Sequence, residues 1–225
     1  MENSYKKKSI KYRLIDKFQR RNRGSIIMLL KNYYFYLFSK ITNFTKDSRG
    51  YILIQLVKNS VIAEIGVWKG DFSSEILKKA KPKKLILVDP WQYDQSIRGC
   101  APQVEGKEPL SQIFFDEAKE DTYKKFTGID EVTILETNSE NASNKFQDNY
   151  FDYIYIDGEH SYNAVCQDLA YWYPKLKSNG TIFGDDFYWR EKDNSFSVKK
   201  AYEEFIAKNK IKKWCVFKSQ ISIIK

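Results

Sequence analysis

Three residues that can perform chemistry follow one apolar segment of the sequence. The segment "FDYIYI" (151–156) is typical of a buried strand, and Asp157, Glu159 and His160, the only histidine among 225 residues, come directly after it. A turn needs only polar side chains, and asparagine or serine would serve. Carboxylates beside an imidazole are the residue types that bind a cation or accept a proton. The pattern therefore indicates a chemical role for the end of this strand.

A second acidic pair ends another strand-like segment. "GTIFGDDF" (180–187) carries Asp185 and Asp186, and neighbouring strands would bring them close to Asp157. Carboxylates so close repel one another unless a cation or protons intervene. Oxygen ligands of this kind suit Mg²⁺, Mn²⁺ or Ca²⁺ rather than zinc. The alternative is that Asp186 caps a turn and that only Asp157 lines a pocket.

A glycine turn and a further acid indicate a nucleoside-type cofactor. "EIGVWKG" (64–70) follows a predicted strand, and its glycines allow the backbone to approach a ligand, although a tight strand–helix turn explains them equally well. Asp89 lies 19 positions beyond Gly70, at the end of the next strand, where it can accept hydrogen bonds from a ribose or simply cap a turn. Together the two features favour an adenosine-type cofactor.

The elements that would position these residues alternate between strand and helix from residue 61 onward. This alternation predicts an α/β domain with a mainly parallel sheet, in which ligands bind outside the carboxyl ends of the strands. The predicted strands are 60–66, 84–90, 132–137, 151–156 and 180–187, with an antiparallel pair in 213–225. The predicted helices are 71–80, with Asp71 as its cap, 111–126, 161–176 and 197–210.

The positive charge is concentrated at the start of the chain. Residues 1–50 contain 13 Lys and Arg against 3 Asp and Glu, whereas the remaining residues contain 25 against 26. We therefore divide the chain into a basic, aromatic, helical extension (1–50) and a nearly neutral domain (51–225). The apolar run 26–41 is shorter than the roughly 20 residues that span a bilayer. It fits packing on the domain, contact with a second copy of the chain, or contact with a membrane surface.

The three cysteines predict a reducing compartment. Cys100, Cys166 and Cys215 are odd in number and widely separated, which argues against both a disulfide framework and a structural zinc site. The predicted location is the cytoplasm, with the extension as a means of peripheral attachment to the inner face of the membrane.

From about residue 60 to 225, the chain resembles the class I S-adenosylmethionine-dependent methyltransferases. Among these it is most similar to the metal-dependent sugar O-methyltransferases of macrolide pathways and of bacterial surface-glycan clusters. The matching segments are "EIGVWKG", "LVDPW", "FDYIYIDGEHSY" and "GTIFGDDF". The resemblance implies a Rossmann-like fold with a seven-stranded, mainly parallel sheet and an antiparallel last strand.

The resemblance also implies roles for individual residues. It implies Mg²⁺ or Mn²⁺ bound by Asp157, Asp185 and Asp186, with His160 as the base and Asp157 beside it in catalysis. It places the adenine near "ETNSEN" (136–141). The implied S-adenosylmethionine-binding residues are Glu64, Gly66, Gly70, Asp89, Asn138, Ser139 and Asp157. The implied acceptor is a hydroxyl group of a sugar, a glycan or a natural-product glycoside.

Other functions remain open at this point. A phenolic acceptor would use the same kind of cation site. The basic extension favours a nucleic acid, but the nearly neutral domain lacks a phosphate track, and "DGEH" stands where adenine-N6 enzymes carry an Asn/Asp-Pro-Pro-aromatic turn. A non-catalytic scaffold in a membrane-associated glycan assembly complex is a further alternative. An NAD-dependent oxidoreductase lacks support, because the GxGxxG motif and a hydride-transfer constellation are missing.

Overall fold

A computed structural model describes residues 49–94, 111–191 and 193–225. The sequence-based expectations for residues 1–48, including the apolar run 26–41, lie outside these residues. No helix in the described part of the chain is long and apolar enough to cross a membrane.

A seven-stranded sheet forms the centre of the molecule, in the order β3-β2-β1-β4-β5-β7-β6. The strands are β1 (Val61–Ile65), β2 (Lys84–Asp89), β3 (Val132–Glu136), β4 (Phe151–Ile156), β5 (Leu176–Gly184), β6 (Lys213–Phe217) and β7 (Gln220–Ile224). Strands β1 to β5 pair in parallel, while β7 pairs antiparallel with both β5 and β6. The predicted α/β fold with an antiparallel last strand is confirmed.

Helices cover both faces of the sheet. They are α1 (Gly50–Leu53), α2 (Asp71–Ala80), α3 (Gln112–Phe126), α4 (Ser139–Ser143), α5 (Tyr162–Trp172) and α6 (Ser197–Lys208). The apolar side chains of α1, α2 and α3 form a core with one face of the sheet, and those of α4, α5 and α6 form a second core with the other. Because both faces are covered, the central strands are almost continuously apolar, as parallel strands usually are.

Three details differ from the sequence-based expectations, and the first is that helix α5 ends at Trp172, four residues before the predicted end at residue 176. Helix α2 is capped by Gly70 in a left-handed conformation, and Asp71 is its first residue and forms an ion pair with Lys125. Strand β5 begins at Leu176, four residues before the predicted strand. The pairing of β4 with β5 is irregular at that point, so the polar residues between Leu176 and Gly180 extend the strand without showing an alternating pattern.

The first described residues are part of the packed domain. Gly50 and Tyr51 are buried, and the ring of Tyr51 stacks on Phe217 with centroids 4.7 Å apart. The side chain of Arg49 reaches the carboxyl ends of β4 and β5. Arg49 and Gly50 lie within the predicted extension (1–50), and both contact the domain.

Candidate active site

The carboxyl ends of β1 and β4 come together with almost no space between them. Gly66 follows β1, and Asp157 follows β4. The backbone amide of Asp157 donates to the carbonyl of Ile65 at 2.8 Å. A Cβ atom on Gly66 would lie 2.1 Å from the carbonyl oxygen of Asp157, and the φ angle of Gly66 is +86°. Only glycine satisfies both conditions. The predicted glycine turn and the predicted acid are therefore adjacent.

Asp89 holds the loop after β1 in place. One carboxylate oxygen, Oδ2, accepts from the backbone amides of Val67 and Trp68 at 2.8 and 2.9 Å. The other, Oδ1, accepts from the amide of Trp91 at 2.8 Å. Burial raises the pKa of Asp89, and these three amides oppose that shift. With three protein donors, the carboxylate of Asp89 retains one acceptor position on Oδ1, so that it can still accept one hydroxyl group.

The two tryptophans at this edge have unusual backbone conformations. Trp68 and Trp91 have φ angles of 53° and 42°, in the left-handed region that bulky residues rarely adopt. The indole nitrogen of Trp91 donates to the carbonyl of Trp68 at 2.8 Å, which ties the loops after β1 and β2 together. Residues held in such conformations tend to cluster at functional sites.

Glu64 lies beneath the glycine turn rather than at its surface. Its side chain is 2% exposed and accepts from Ser73 Oγ at 2.6 Å. Burial raises the pKa of Glu64 to about 8, although Ser73 and Arg49 oppose the shift. The structure therefore places Glu64 as a support of helix α2, and a direct contact with a cofactor remains a prediction.

Asn138 and Ser139 begin helix α4 at the same edge. Asn138 Oδ1 accepts from the amide of Asn141 at 2.8 Å and so caps the helix. Ser139 Oγ accepts from the indole nitrogen of Trp172 at 2.8 Å. Both side chains fix the position of the loop after β3, and their contact with an adenine remains a prediction.

The two carboxylate oxygens of Asp157 face different partners. Oδ2 accepts from Arg49 Nη2 at 2.8 Å and lies 3.3 Å from the hydroxyl of Tyr155, whose single proton is shared with the nearer Asp185 at 2.7 Å. Oδ1 lies 3.9 Å from His160 Nε2. Burial and the neighbouring Asp185 raise the pKa of Asp157 well above its usual range, while Arg49 and His160 oppose the shift.

Asp185 is saturated with hydrogen bonds from the protein. Its Oδ2 accepts from Arg49 Nε at 2.9 Å and from the hydroxyl of Tyr155 at 2.7 Å. Its Oδ1 accepts from the amide of Asp186 at 2.7 Å and from the side-chain amide of Gln220. Four donors satisfy a carboxylate. In this arrangement Asp185 has no lone pair left for a metal ion.

His160 is a buried imidazole that faces Asp186. Its Nε2 lies 3.2 Å from Asp186 Oδ2, and its ring stacks on Trp189 with centroids 4.6 Å apart. Neither ring nitrogen has an aligned hydrogen-bond partner among the described residues. Burial opposes the charged ring, but Asp186, Asp157 and Asp185 outweigh it and raise the pKa of His160. The imidazole in turn lowers the pKa of Asp186.

Three of these residues could hold a metal ion among them. Asp157, His160 and Asp186 each offer one ligand atom, and the three atoms lie within 4.8 Å of one another. Two carboxylates and an imidazole suit Mn²⁺ or Mg²⁺, and the unpartnered imidazole nitrogens leave room for such a ligand role. This group differs from the predicted set of Asp157, Asp185 and Asp186, because Asp185 bonds to protein donors and His160 lies in its place.

Three residues at the site escaped the sequence analysis. Arg49 lies in the basic extension, where one arginine among 13 basic residues gives no distinguishing signal. Tyr155 lies within a buried strand, and its sequence pattern is that of a core residue. Trp189 follows the acidic pair closely, and a large aromatic residue at that position was the one available signal.

Comparisons with known proteins agree with this fold. The sequence model of a family described as a methyltransferase domain matches residues 63–187, more than half of the chain. A structure assigned as a caffeoyl-CoA O-methyltransferase from Staphylococcus aureus is similar, with a TM-score of 0.54 and 18% identity, over 96% of this chain and 98% of that one.

Two further structures share the fold. A structure assigned as an rRNA methylase from Clostridium thermocellum has a TM-score of 0.53 and 16% identity, over 79% of this chain and 93% of that one. The O-methyltransferase NovP has a TM-score of 0.50 and 17% identity, over 74% and 72%. No curated protein matches the sequence. The matched family, on the sheet described above, shows that the chain belongs to the methyltransferase domain family and is a class I S-adenosylmethionine-dependent methyltransferase.

Proposed function

We propose that the protein transfers the methyl group of S-adenosylmethionine to a hydroxyl group of a sugar, within a glycan or a natural-product glycoside, with the help of Mg²⁺ or Mn²⁺. The observation that carries the proposal is the juxtaposition of two groups at one sheet edge. The glycine turn with Asp89 lies on one side, and Asp157, His160 and Asp186 lie directly beside it.

The loops after β1, β2 and β3 would hold the cofactor. Asp89 Oδ1 would accept a ribose hydroxyl, and the backbone at Gly66 would allow the methionine part to lie close to Asp157. Asn138 and Ser139 would border the adenine. Methyl transfer is an in-line displacement, so a rigid loop that fixes the donor supplies much of the rate enhancement.

Asp157 and Asp186 would hold the metal ion, and His160 beside them would stay free to act as the base. A divalent ion bound here would orient two neighbouring hydroxyl groups and lower their pKa. The negative charge of the site also suits the positively charged sulfonium of the donor.

His160 would accept the proton that leaves the acceptor hydroxyl. Its ring is fixed by stacking on Trp189, and its carbonyl accepts from Ser197 Oγ at 2.7 Å, so that both the side chain and the backbone are held. Asp186 Oδ2, 3.2 Å from Nε2, would stabilise the imidazolium that results. A general base must be positioned in this way before its pKa matters.

Aromatic side chains after β5 support a sugar as the acceptor. Trp189 lies against His160, and Tyr188 is 47% exposed beside it in sequence. Flat aromatic faces pack well against the C–H faces of a pyranose, and a metal ion would select neighbouring hydroxyl groups. A catechol shares these features, so the experiment has to include one.

The test is a methyl-transfer assay with radiolabelled S-adenosylmethionine. The acceptors are a panel of methyl pyranosides with neighbouring hydroxyl groups, catechol, and a single-stranded RNA, each with MgCl₂ or with EDTA. The proposal expects label in a pyranoside, and expects EDTA to remove it. Label in catechol or RNA alone would contradict the acceptor class, and full activity in EDTA would contradict the role of the metal ion.

A further inference from the structure

Arg49 lies between the carboxylates of Asp157, which is partly buried, and Asp185, which is buried. Its Nε donates to Asp185 Oδ2 at 2.9 Å, and its Nη2 donates to Asp157 Oδ2 at 2.8 Å. The two carboxylate side chains are 7% and 16% exposed, and the arginine side chain is 35% exposed. The guanidinium also lies over the ring of Phe72, 5.5 Å from its centroid. The guanidinium group therefore donates to two carboxylates and also contacts an aromatic ring with one face.

The positive charge of Arg49 stabilises two carboxylates that would otherwise repel each other. Asp157 and Asp185 follow adjacent strands, and the hydroxyl of Tyr155 lies within 3.3 Å of both carboxylates, so their negative charges are close together. Buried like charges are unstable without a proton or a cation. The planar arginine fork matches two carboxylates in a way that the point charge of a lysine would not.

Arg49 also lies outside the family-matched region, which begins at residue 63. It stands immediately before helix α1, whose four residues are all buried in the domain. The backbone that carries Arg49 is thereby anchored near the sheet edge.

We propose that Arg49 is the intramolecular counter-ion of the Asp157–Asp185 pair and competes with a divalent cation for these two carboxylates. With Arg49 in place, Asp185 is saturated, and the remaining ligand atoms belong to Asp157, His160 and Asp186. With Arg49 displaced, Asp185 regains an oxygen for the ion, and His160 is no longer needed as a ligand. Arg49 is thus a positioning residue that decides which residues can bind the ion.

The inference rests on the proposed function only for the identity of the ion. Its test measures Mn²⁺ binding to the full chain and uses neither donor nor acceptor, so a failure of methyl transfer would leave this measurement valid. The protein is stripped with EDTA, desalted and titrated with MnCl₂, and the electron paramagnetic resonance signal of free Mn²⁺ reports binding. The variants are Arg49→Gln, Asp185→Asn and the double variant. The matched control is Arg190→Gln, which removes the same charge from an exposed arginine that lies over the ring of Phe196.

The expected result is that Arg49→Gln binds Mn²⁺ about ten-fold or more tightly than the wild type, because a nearby positive charge has been removed from a poorly screened site. Arg190→Gln should bind like the wild type. The double variant should lose the gain, because Asp185 is needed for it. Affinity for Mn²⁺ in Arg49→Gln that is unchanged or weaker would overturn the inference, as would an equal gain in Arg190→Gln.

The substitution could also prevent folding in EDTA, because it leaves two buried carboxylates without their partner. In that case millimolar MnCl₂ should restore a cooperative thermal transition to Arg49→Gln, since an ion that binds only the folded state stabilises it. Failure of Mn²⁺ to restore the transition would overturn the inference.

Discussion

The two edges of the sheet differ in what they do with charged side chains. At the carboxyl edge, Glu64 and Asp185 are 2% and 7% exposed, and each is satisfied by specific partners. At the amino edge, an open groove of about 610 Å³ is lined by Asn59, Leu77, Lys81, Pro82, Lys83, Ile129 and Glu131. The lysines and the glutamate of that groove are exposed to solvent.

This difference shows that a concave surface alone does not locate chemistry. Burying a carboxylate is costly unless hydrogen bonds and opposite charges compensate. Several acidic side chains are buried at the carboxyl edge, whereas the charged side chains of the groove at the amino edge are exposed. We therefore take convergent buried charges, rather than the volume of a groove, as the mark of the proposed functional edge.

The largest effect on stability is expected from adding one methyl group at the carboxyl edge. Gly66→Ala places a Cβ 2.1 Å from the carbonyl oxygen of Asp157, whereas Gly128→Ala, near the amino edge, meets nothing within 4 Å. Both glycines have φ angles above +80°, so the pair separates the clash from backbone strain. In urea denaturation, we expect Gly128→Ala to cost about 1 kcal/mol and Gly66→Ala to cost about 3 kcal/mol or more. Equal costs would show that the edge is not closely packed.

The next effect concerns turnover. His160→Ala should lower kcat by about 10²–10⁴-fold, because a positioned base is lost. Lys83→Ala, in the amino-edge groove, should leave kcat unchanged. Initial rates at saturating donor and Mg²⁺ measure both variants. A kcat for His160→Ala close to that of the wild type would remove His160 from the chemistry.

A smaller effect should appear in the pH dependence of stability. Burial raises the pKa of Asp168 from 3.8 to about 7, against the opposing hydrogen bond with Ser139. The folded state therefore binds this proton more tightly than the unfolded state, and the stability that the group contributes at low pH is lost as the pH rises from about 4 to about 7. The Asp168→Asn variant has no ionisable group at this position, so it should not lose stability in this way as the pH rises. Its melting temperature relative to that of the wild type should be higher at pH 8 than at pH 4.5, and an unchanged difference would contradict the assignment.

The smallest effect is expected in the groove itself. Lys81→Ala and Glu131→Gln change exposed side chains, so each should alter the free energy of unfolding by less than about 0.5 kcal/mol and leave turnover unaffected. Thermal melts and rate assays measure both. A large loss of activity in either variant would mean that the amino edge participates in function.

Much of the fold could be predicted because its elements have strong local patterns. Strand β4 and the start of helix α2 were placed correctly, since a continuous apolar run and a helical pattern are local features. The start of β5 was missed because an irregularity in its pairing with β4 places polar residues inside a strand. Such a feature depends on the neighbouring strand and not on the segment itself.

The candidate site was predictable in part for the same reason. Asp157, His160 and Asp186 follow strand ends that sequence patterns locate, and parallel strands bring their ends to one edge. Arg49 arrives from 108 residues away to bond Asp157, and no local pattern records that contact. The group of three possible metal ligands includes His160 and not Asp185 because Arg49 bonds to Asp185. The sequence could not predict this choice, since it could not predict the position of Arg49.

The measurement that tests the central claim most directly is calorimetric titration with S-adenosylhomocysteine. The account predicts binding to the wild type and to Lys83→Ala with equal affinity, and a loss of about ten-fold or more for Asp89→Asn, because Asp89 both orders the loop after β1 and accepts a ribose hydroxyl. No binding to the wild type, or equal binding to Asp89→Asn, would contradict the assignment of the carboxyl edge as the cofactor site.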